Sequence, residues 1–150
     1  MKIIIRKAKK KDLPQVLELI KELAVFEKAA QEVKVTLKEL ERDGFGKRKL
    51  YNCFVAETEN KITGMALYYV KYSTWKGKCI YLEDIIVTES MRREGIGKRL
   101  FEAVVAVAKK TKVRKMEWQV LNWNKPAINF YKKYSTVFDG DWINCKLIFE

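Results

Sequence analysis

The sequence predicts an α/β (α+β) fold, a mixed sheet with helices on both faces, and three observations predict it. Short β-branched and apolar runs alternate with helix-period segments along the whole chain. These segments follow in the order strand, two helices, three strands, helix, strand, helix, strand. The 150 residues are 48% hydrophobic with only 7 Gly and 2 Pro, enough for one domain over 1–150 and too few breakers for a linker.

Each element has its own signal. Lys2 to Lys7 reads as a strand through Ile3, Ile4 and Ile5. Asp12 then stands as an N-cap with Gln15 three residues on and Pro14 in the first turn, opening a helix to about Phe26. Thr36 with Glu39 opens a second, short helix that Gly44 and Gly46 close. Tyr51–Glu57 and Lys61–Lys71 read as strands joined by a tight Glu59-Asn60 turn. Lys78–Thr88 follows as a strongly apolar strand, and Gly95 and Gly97 open a helix to about Lys110. Lys115–Leu121 is expected as a strand, Asn124–Tyr134 as a short helix, and Trp142–Phe149 as a last strand.

Composition excludes much chemistry. With no histidine, there is neither an imidazole base nor a His-ligated zinc site. Cys53, Cys79 and Cys145 lack metal or disulfide spacing, so no metal is expected and the first two read as small core residues. The net charge of +12 is spread along the chain rather than massed in an arm, so nucleic acid is not the expected partner. No apolar run is long enough to cross a bilayer and no signal peptide is evident, so a cytoplasmic protein is expected.

The segment from Tyr81 to Leu100 carries the most information. A buried strand containing Glu83 and Asp84 leads into Arg92-Arg93-Glu94-Gly95-Ile96-Gly97-Lys98 and at once into a helix. Glycines let backbone amides approach an anion closely, and the helix start and basic side chains add positive charge. The spacing matches neither a P-loop nor a dinucleotide fingerprint. Downstream, Asn124 can cap a helix that carries Tyr131 two turns along the same face.

Together these two segments resemble the GCN5-related N-acetyltransferases. Gly44-Phe45-Gly46, Trp75-x-Gly77-Lys78, Tyr81-Leu82-Glu83-Asp84 and Asn129-Phe130-Tyr131-Lys132 resemble its spermidine/spermine (diamine) branch. The resemblance spans nearly the whole chain and implies a mostly antiparallel central sheet, acetyl-CoA as co-substrate and a homodimer. It implies that the backbone of Ile85, Ile86 and Val87 pairs with the pantetheine arm. Arg92, Arg93, Glu94, Gly95, Ile96, Gly97 and Lys98 would hold the pyrophosphate. Asn124, Lys125, Pro126 and Ala127 would touch the cofactor further along, and Tyr131 matches the family's general acid. Phe26, Glu27, Trp75, Glu83, Asp84 and Trp142 are the corresponding candidates for binding the amine.

The implied reaction is attack of a free amine on a thioester within a ternary complex. A phenol, with a pKa of about 10, still carries its proton at neutral pH and can protonate the leaving thiolate. A strand amide near Ile85 can stabilise the carbonyl oxygen. The amine itself must lose a proton, and without histidine a carboxylate acting through water is the expected acceptor, with Glu83 the candidate. In a regular strand Glu83 and Asp84 point to opposite faces; a β-bulge would let them converge. Three positions depart from the branch: Phe26 replaces tyrosine, Gly140 replaces a carboxylate, and Tyr134-Ser135-Thr136 stands where glycine is usual. The expected substrate is a small polyamine or diamine such as spermidine or spermine. A thialysine- or lysine-type amino acid, or a non-catalytic acetyl-CoA-binding module, is the alternative.

Overall fold

Strand β1 (Ile3–Lys7) pairs antiparallel with β2 (Asn52–Thr58), although some 50 residues separate them. The computed structural model describes residues 1–150, which divide into two compact units, 1–119 and 120–150. In the first unit, α1 (Leu13–Phe26) and α2 (Leu37–Phe45) lie between β1 and β2 in the chain. β3 (Lys61–Ser73), β4 (Gly77–Val87), α3 (Ile96–Lys110) and β5 (Met116–Glu117) follow. The sheet order is β1-β2-β3-β4-β5, antiparallel except for the parallel β4–β5 pair.

The sheet has two differently covered faces. Leu13, Val16 and Leu19 of α1 and Leu40 of α2 form one core cluster with Cys53, Val55, Met65, Leu67 and Ile86. On the opposite face α3 buries Ile96, Leu100, Phe101 and Val104. A Cβ added to Gly64 of β3 would lie 3.1 Å from Leu100 and 3.3 Å from Ile96, so glycine there lets α3 settle on the sheet. Gly44 packs directly beneath the Tyr51 ring, whose hydroxyl donates to the Leu40 carbonyl at 2.6 Å.

The local signals translate closely. Glu59 and Asn60 both take left-handed φ, 49° and 66°, as a two-residue hairpin turn with the strand-matching twist requires. The Thr36 hydroxyl accepts from Glu39 N while the Glu39 carboxylate accepts from Thr36 N, both at 3.2 Å, and α2 starts there. Asp12 behaves otherwise than expected. Its carboxylate makes no cap to α1; it accepts from Lys9 N at 2.7 Å across a 3₁₀ turn and pairs with Arg6 at 2.8 Å. Arg6 also holds Glu57 at 2.7 Å, tying β1 to β2. Gln15, expected in a capping box, accepts instead from Ile62 N at 2.9 Å.

Two expected strands are corrected. The strand predicted over Lys115–Leu121 is only Met116–Glu117, because its parallel ladder with β4 ends at the Tyr81–Glu117 pair. β4 carries a bulge two residues later, and a bulge bends its strand. In the second unit α4 (Lys125–Tyr131) is capped by Asn124, whose side chain accepts from Ala127 N at 3.3 Å. The strand predicted over Trp142–Phe149 does not form: the segment has no ladder partner, and Trp142, Ile143, Leu147 and Phe149 are exposed. An apolar run becomes a strand only when another strand is there to pair with it. No helix is long and apolar enough to cross a membrane.

Candidate active site

The junction between β4 and α3 is built to receive an anion. A 3₁₀ turn (Glu89–Met91) leads to Arg92, after which Arg93 and Gly95 take φ of 69° and 77°. A Cβ on Gly95 would meet nothing within 4 Å, so no side chain packs over that point of the bend. The first α3 bond runs from Arg99 N to Gly95 O, leaving the amides of Ile96, Gly97 and Lys98 without intrahelical partners. The Arg93 and Lys98 side chains are exposed and unpaired, and both are available to an anion. Arg92, expected to serve here, is engaged elsewhere: its Nε donates to Val87 O at 3.1 Å and its guanidinium stacks 5.6 Å from the Phe26 ring. Glu94 is exposed and makes no ion pair.

Upstream of this bend, no strand pairs with the outer edge of β4 along Leu82–Val87, because β5 pairs only with Ile80 and Tyr81, and the one outer-edge group already engaged is the Val87 carbonyl, which accepts from Arg92 Nε. This stretch contains Ile85, Ile86 and Val87, the three residues expected to pair through their backbone with an extended ligand. Their other edge is fully used by β3, where Gly64 lies opposite Val87, Met65 opposite Ile86 and Ala66 opposite Ile85.

The acidic residues converge at the expected bulge. Leu67 lies opposite Asp84 and Tyr68 opposite Leu82, so Glu83 is the residue left without a cross-strand partner. Cross-strand partners share a face. Asp84 therefore lies on the Leu67 side, the face that α1 covers, and Ile86 of the same core confirms the alternation. Glu83 is on that face too, since its Oε1 accepts from the Tyr69 hydroxyl at 3.2 Å and Tyr69 packs against the same core. The bulge thus turns both carboxylates toward the C-terminal end of α1, where Glu27 lies.

The electrostatics follow from that crowding. Burial, then the negative charges of Glu83 and Glu27, pushes Asp84 up to about 7. Burial also raises Glu27. Burial and then Glu83 push the Tyr69 phenol up to about 12, which keeps it a hydrogen-bond donor. No cation pairs with Asp84; Lys71, on this face, bonds Glu117 at 2.7 Å and lies 5.1 Å from the Tyr81 ring.

Phe26 adjoins Glu27 at the end of α1 and is partly exposed beneath Arg92. Trp75 is not brought to this cluster. It caps the β3–β4 hairpin, 82% exposed, and the strand from Gly77 to Glu83 spans roughly 20 Å. In the second unit, Tyr131 is buried near the end of α4, while Lys125 and Pro126 are exposed in its first turn beside the capping Asn124 and the partly buried Ala127. Trp142 is exposed, its indole N–H donating to Asp139 at 2.9 Å.

Three residues of the site were not evident in the sequence. Tyr69 and Tyr81 pack with their rings tilted at 32° and centroids 5.4 Å apart, beside Glu83. The signal was available, since both tyrosines sit at core-facing positions of adjacent strands, but only the register joins them. Glu22 braces the bend from α1: it accepts from the Thr88 hydroxyl at 2.8 Å and Glu89 N at 3.0 Å, and lies 3.8 Å from Arg92. Nothing local in the sequence distinguishes it from other exposed helix glutamates.

Comparison with known proteins places the chain in a family. Residues 13–135 match the family model described as acetyltransferase (GNAT) family. The chain is 41% identical over 138 residues to a thialysine N-epsilon-acetyltransferase of Bos taurus, covering 87% of this chain and 81% of that one. It is 39% identical over 134 residues to a human spermidine/spermine N(1)-acetyltransferase-like protein 1, covering 85% of this chain and 19% of that one. Its fold superimposes on aminoglycoside N-acetyltransferase AAC(6')-Iy, solved in complex with CoA, with a TM-score of 0.76 at 19% identity, covering 97% and 95% of the two chains.

Proposed function

The chain belongs to the acetyltransferase (GNAT) family and is an acyltransferase that acts on amines; from that premise we propose that its acceptor is a small diamine or polyamine, acetylated directly from acetyl-CoA. The observation that carries the reading is the convergence of Glu27, Glu83 and Asp84 on one face with no cation among them, immediately before an anion-accepting bend. Carboxylates attract an ammonium, and the bend with its free amides attracts a phosphate.

Bound acetyl-CoA supplies the acetyl group as a reactive thioester. The amides of Ile96, Gly97 and Lys98, helped by Arg93 and Lys98, hold its pyrophosphate, and the free edge at Ile85–Val87 pairs with its pantetheine arm. Asn124, Lys125, Pro126 and Ala127 remain candidates for contacts further along the donor. Arg92 supports the bend from behind through Val87 O and Glu22. Glu83 meets the ammonium, Phe26 lies beside its path, and a main-chain amide near Ile85 steadies the carbonyl oxygen. Tyr131, which matches the family's general acid, is the candidate for returning a proton to the thiolate.

A second reading has its own support. The similarity to the Bos taurus thialysine acetyltransferase favours an amino-acid acceptor. The guanidinium of Arg92 over Phe26, one residue from Glu27, offers a cation to a substrate carboxylate. A panel of spermidine, spermine, putrescine, lysine and thialysine, followed by thiol release, separates the two. Highest kcat/KM on the carboxylate-free amines supports the diamine reading, and preference for lysine or thialysine replaces it. Tyr131→Phe is expected to lose about 100-fold in kcat with coenzyme A binding intact by calorimetry; undiminished turnover removes the tyrosine from the mechanism. We also propose that the chain works as a homodimer, which would cover exposed aromatics such as Tyr72 and Trp75; sedimentation velocity tests it.

A further inference from the structure

Resting on the amine-acetylation reading, we infer that Asp84 is the group that takes the amine's proton, while Glu83 beside it receives and holds the ammonium. The division of labour comes from the bulge. Glu83 is the exposed member of the pair and already accepts the Tyr69 hydroxyl, so it stands where a cation arrives from solvent. Asp84, one residue on, is the more enclosed member: it lies opposite Leu67 and has neither an ion pair nor a side-chain hydrogen bond.

An unpaired carboxylate in that position is costly to keep charged and therefore a willing proton acceptor. The groups facing it reinforce this from every side. Glu83 and Tyr81 belong to its own strand, Tyr69 to β3, Cys53 to β2 and Glu27 to the end of α1, and none is a cation. An ordinary carboxylate lies about six pKa units below an alkylammonium, whereas Asp84 at about 7 is much closer to the optimum for a base working near neutrality.

The step balances without any added reagent. One N–H bond of the ammonium breaks and an O–H bond forms on Asp84, directly or with one water handing its own proton on. The freed nitrogen lone pair forms the amide bond as the carbon–sulfur bond breaks. The thiolate takes a proton from the general acid, for which Tyr131 is the candidate; the second proton that the nitrogen sheds on becoming an amide restores that acid, and Asp84 releases its own to solvent when the product leaves.

The test compares kcat and KM for the best amine of the panel across pH 5.5–9.5 in wild type, Asp84→Asn and Glu83→Gln. Wild-type kcat/KM is expected to fall below about pH 7. Asp84→Asn should lose about 100-fold in kcat and the acidic limb with it, its KM changing less than about threefold. Glu83→Gln should raise KM about tenfold and keep the limb, moved to lower pH because a neighbouring negative charge is gone. An Asp84→Asn enzyme that keeps kcat and loses only affinity overturns the inference, as does a limb that vanishes in Glu83→Gln. Should the asparagine variant fail to bind coenzyme A as a folded protein does, the direction of the Glu83→Gln limb shift decides alone. Wild type inert toward every amine removes the acetylation reading and this inference together, a pattern distinct from either variant outcome.

Discussion

Replacing Asp84 by asparagine removes a charge that burial and two neighbouring carboxylates disfavour, so it bears on stability as well as on catalysis. The folded-state value of about 7 lies above the 3.8 of an unhindered aspartate. The folded chain therefore binds this proton more tightly than the unfolded chain, and stability is lost as pH rises from about 4 through 7. Asp84→Asn is expected to stabilise the fold at pH 8 by about 1–3 kcal/mol, seen as a higher melting temperature, and to change little at pH 4.5. Melting curves at the two pH values check it, and equal effects at both would place the origin elsewhere than in this titration. Gly95 makes a second single-residue case. With φ at 77° and open space where a Cβ would go, Gly95→Ala costs about 1 kcal/mol through its backbone alone. Calorimetry should also show acetyl-CoA affinity falling, because a shift of the strained backbone at Gly95 moves the amides of the bend.

Elements show which parts of the fold the chain announces locally. The α2 cap was legible because Thr36 and Glu39 satisfy each other within one turn. Thr36→Ala should accordingly lower the urea midpoint by the equivalent of about 1 kcal/mol with the slope unchanged. The β2–β3 turn was legible for the same reason, since both of its residues had only to tolerate a left-handed backbone. The shortness of β5 was not legible, because the length of a strand is set by its neighbour, and β4 bends away at Glu83. The apolar pattern of Trp142–Phe149 says strand, yet pattern alone supplies no partner. The candidate site divides in the same way. Glycines and basic residues of the bend are contiguous and could be read directly, whereas the meeting of Glu27 with Glu83 and Asp84 depends on α1 packing over a slipped register. Arg92 was read as a phosphate ligand from its position, and only the packed chain turns it toward Phe26 and Glu22. That brace gives a further expectation: Glu22→Gln should weaken acetyl-CoA binding several-fold, without the kcat loss expected of Asp84→Asn.

At the scale of the whole molecule, charge and chemistry are arranged in opposition. The chain carries +12 overall, yet one small face concentrates three carboxylates. The general field draws a polyanionic donor, while the acceptor cation must find a local exception to it. Long-range attraction is screened within about 8 Å at physiological ionic strength, whereas contacts inside the cluster are less affected. Raising salt from 50 to 300 mM should therefore slow acetyl-CoA association in stopped flow by several-fold and leave its dissociation nearly constant.

The parting of β4 from β5 has a consequence for how the sequence can drift. A ligand that completes a sheet is read through amides and carbonyls common to every residue, so on the donor reading proposed above the identities of Ile85 and Val87 would be spectators to its capture. Substitution there by valine, threonine or leucine should pass unnoticed by the donor, whereas a proline, which removes one rung of the ladder, should not. On that reading, evolution would be free to retune the acceptor end while the grip on the common donor is inherited through the main chain.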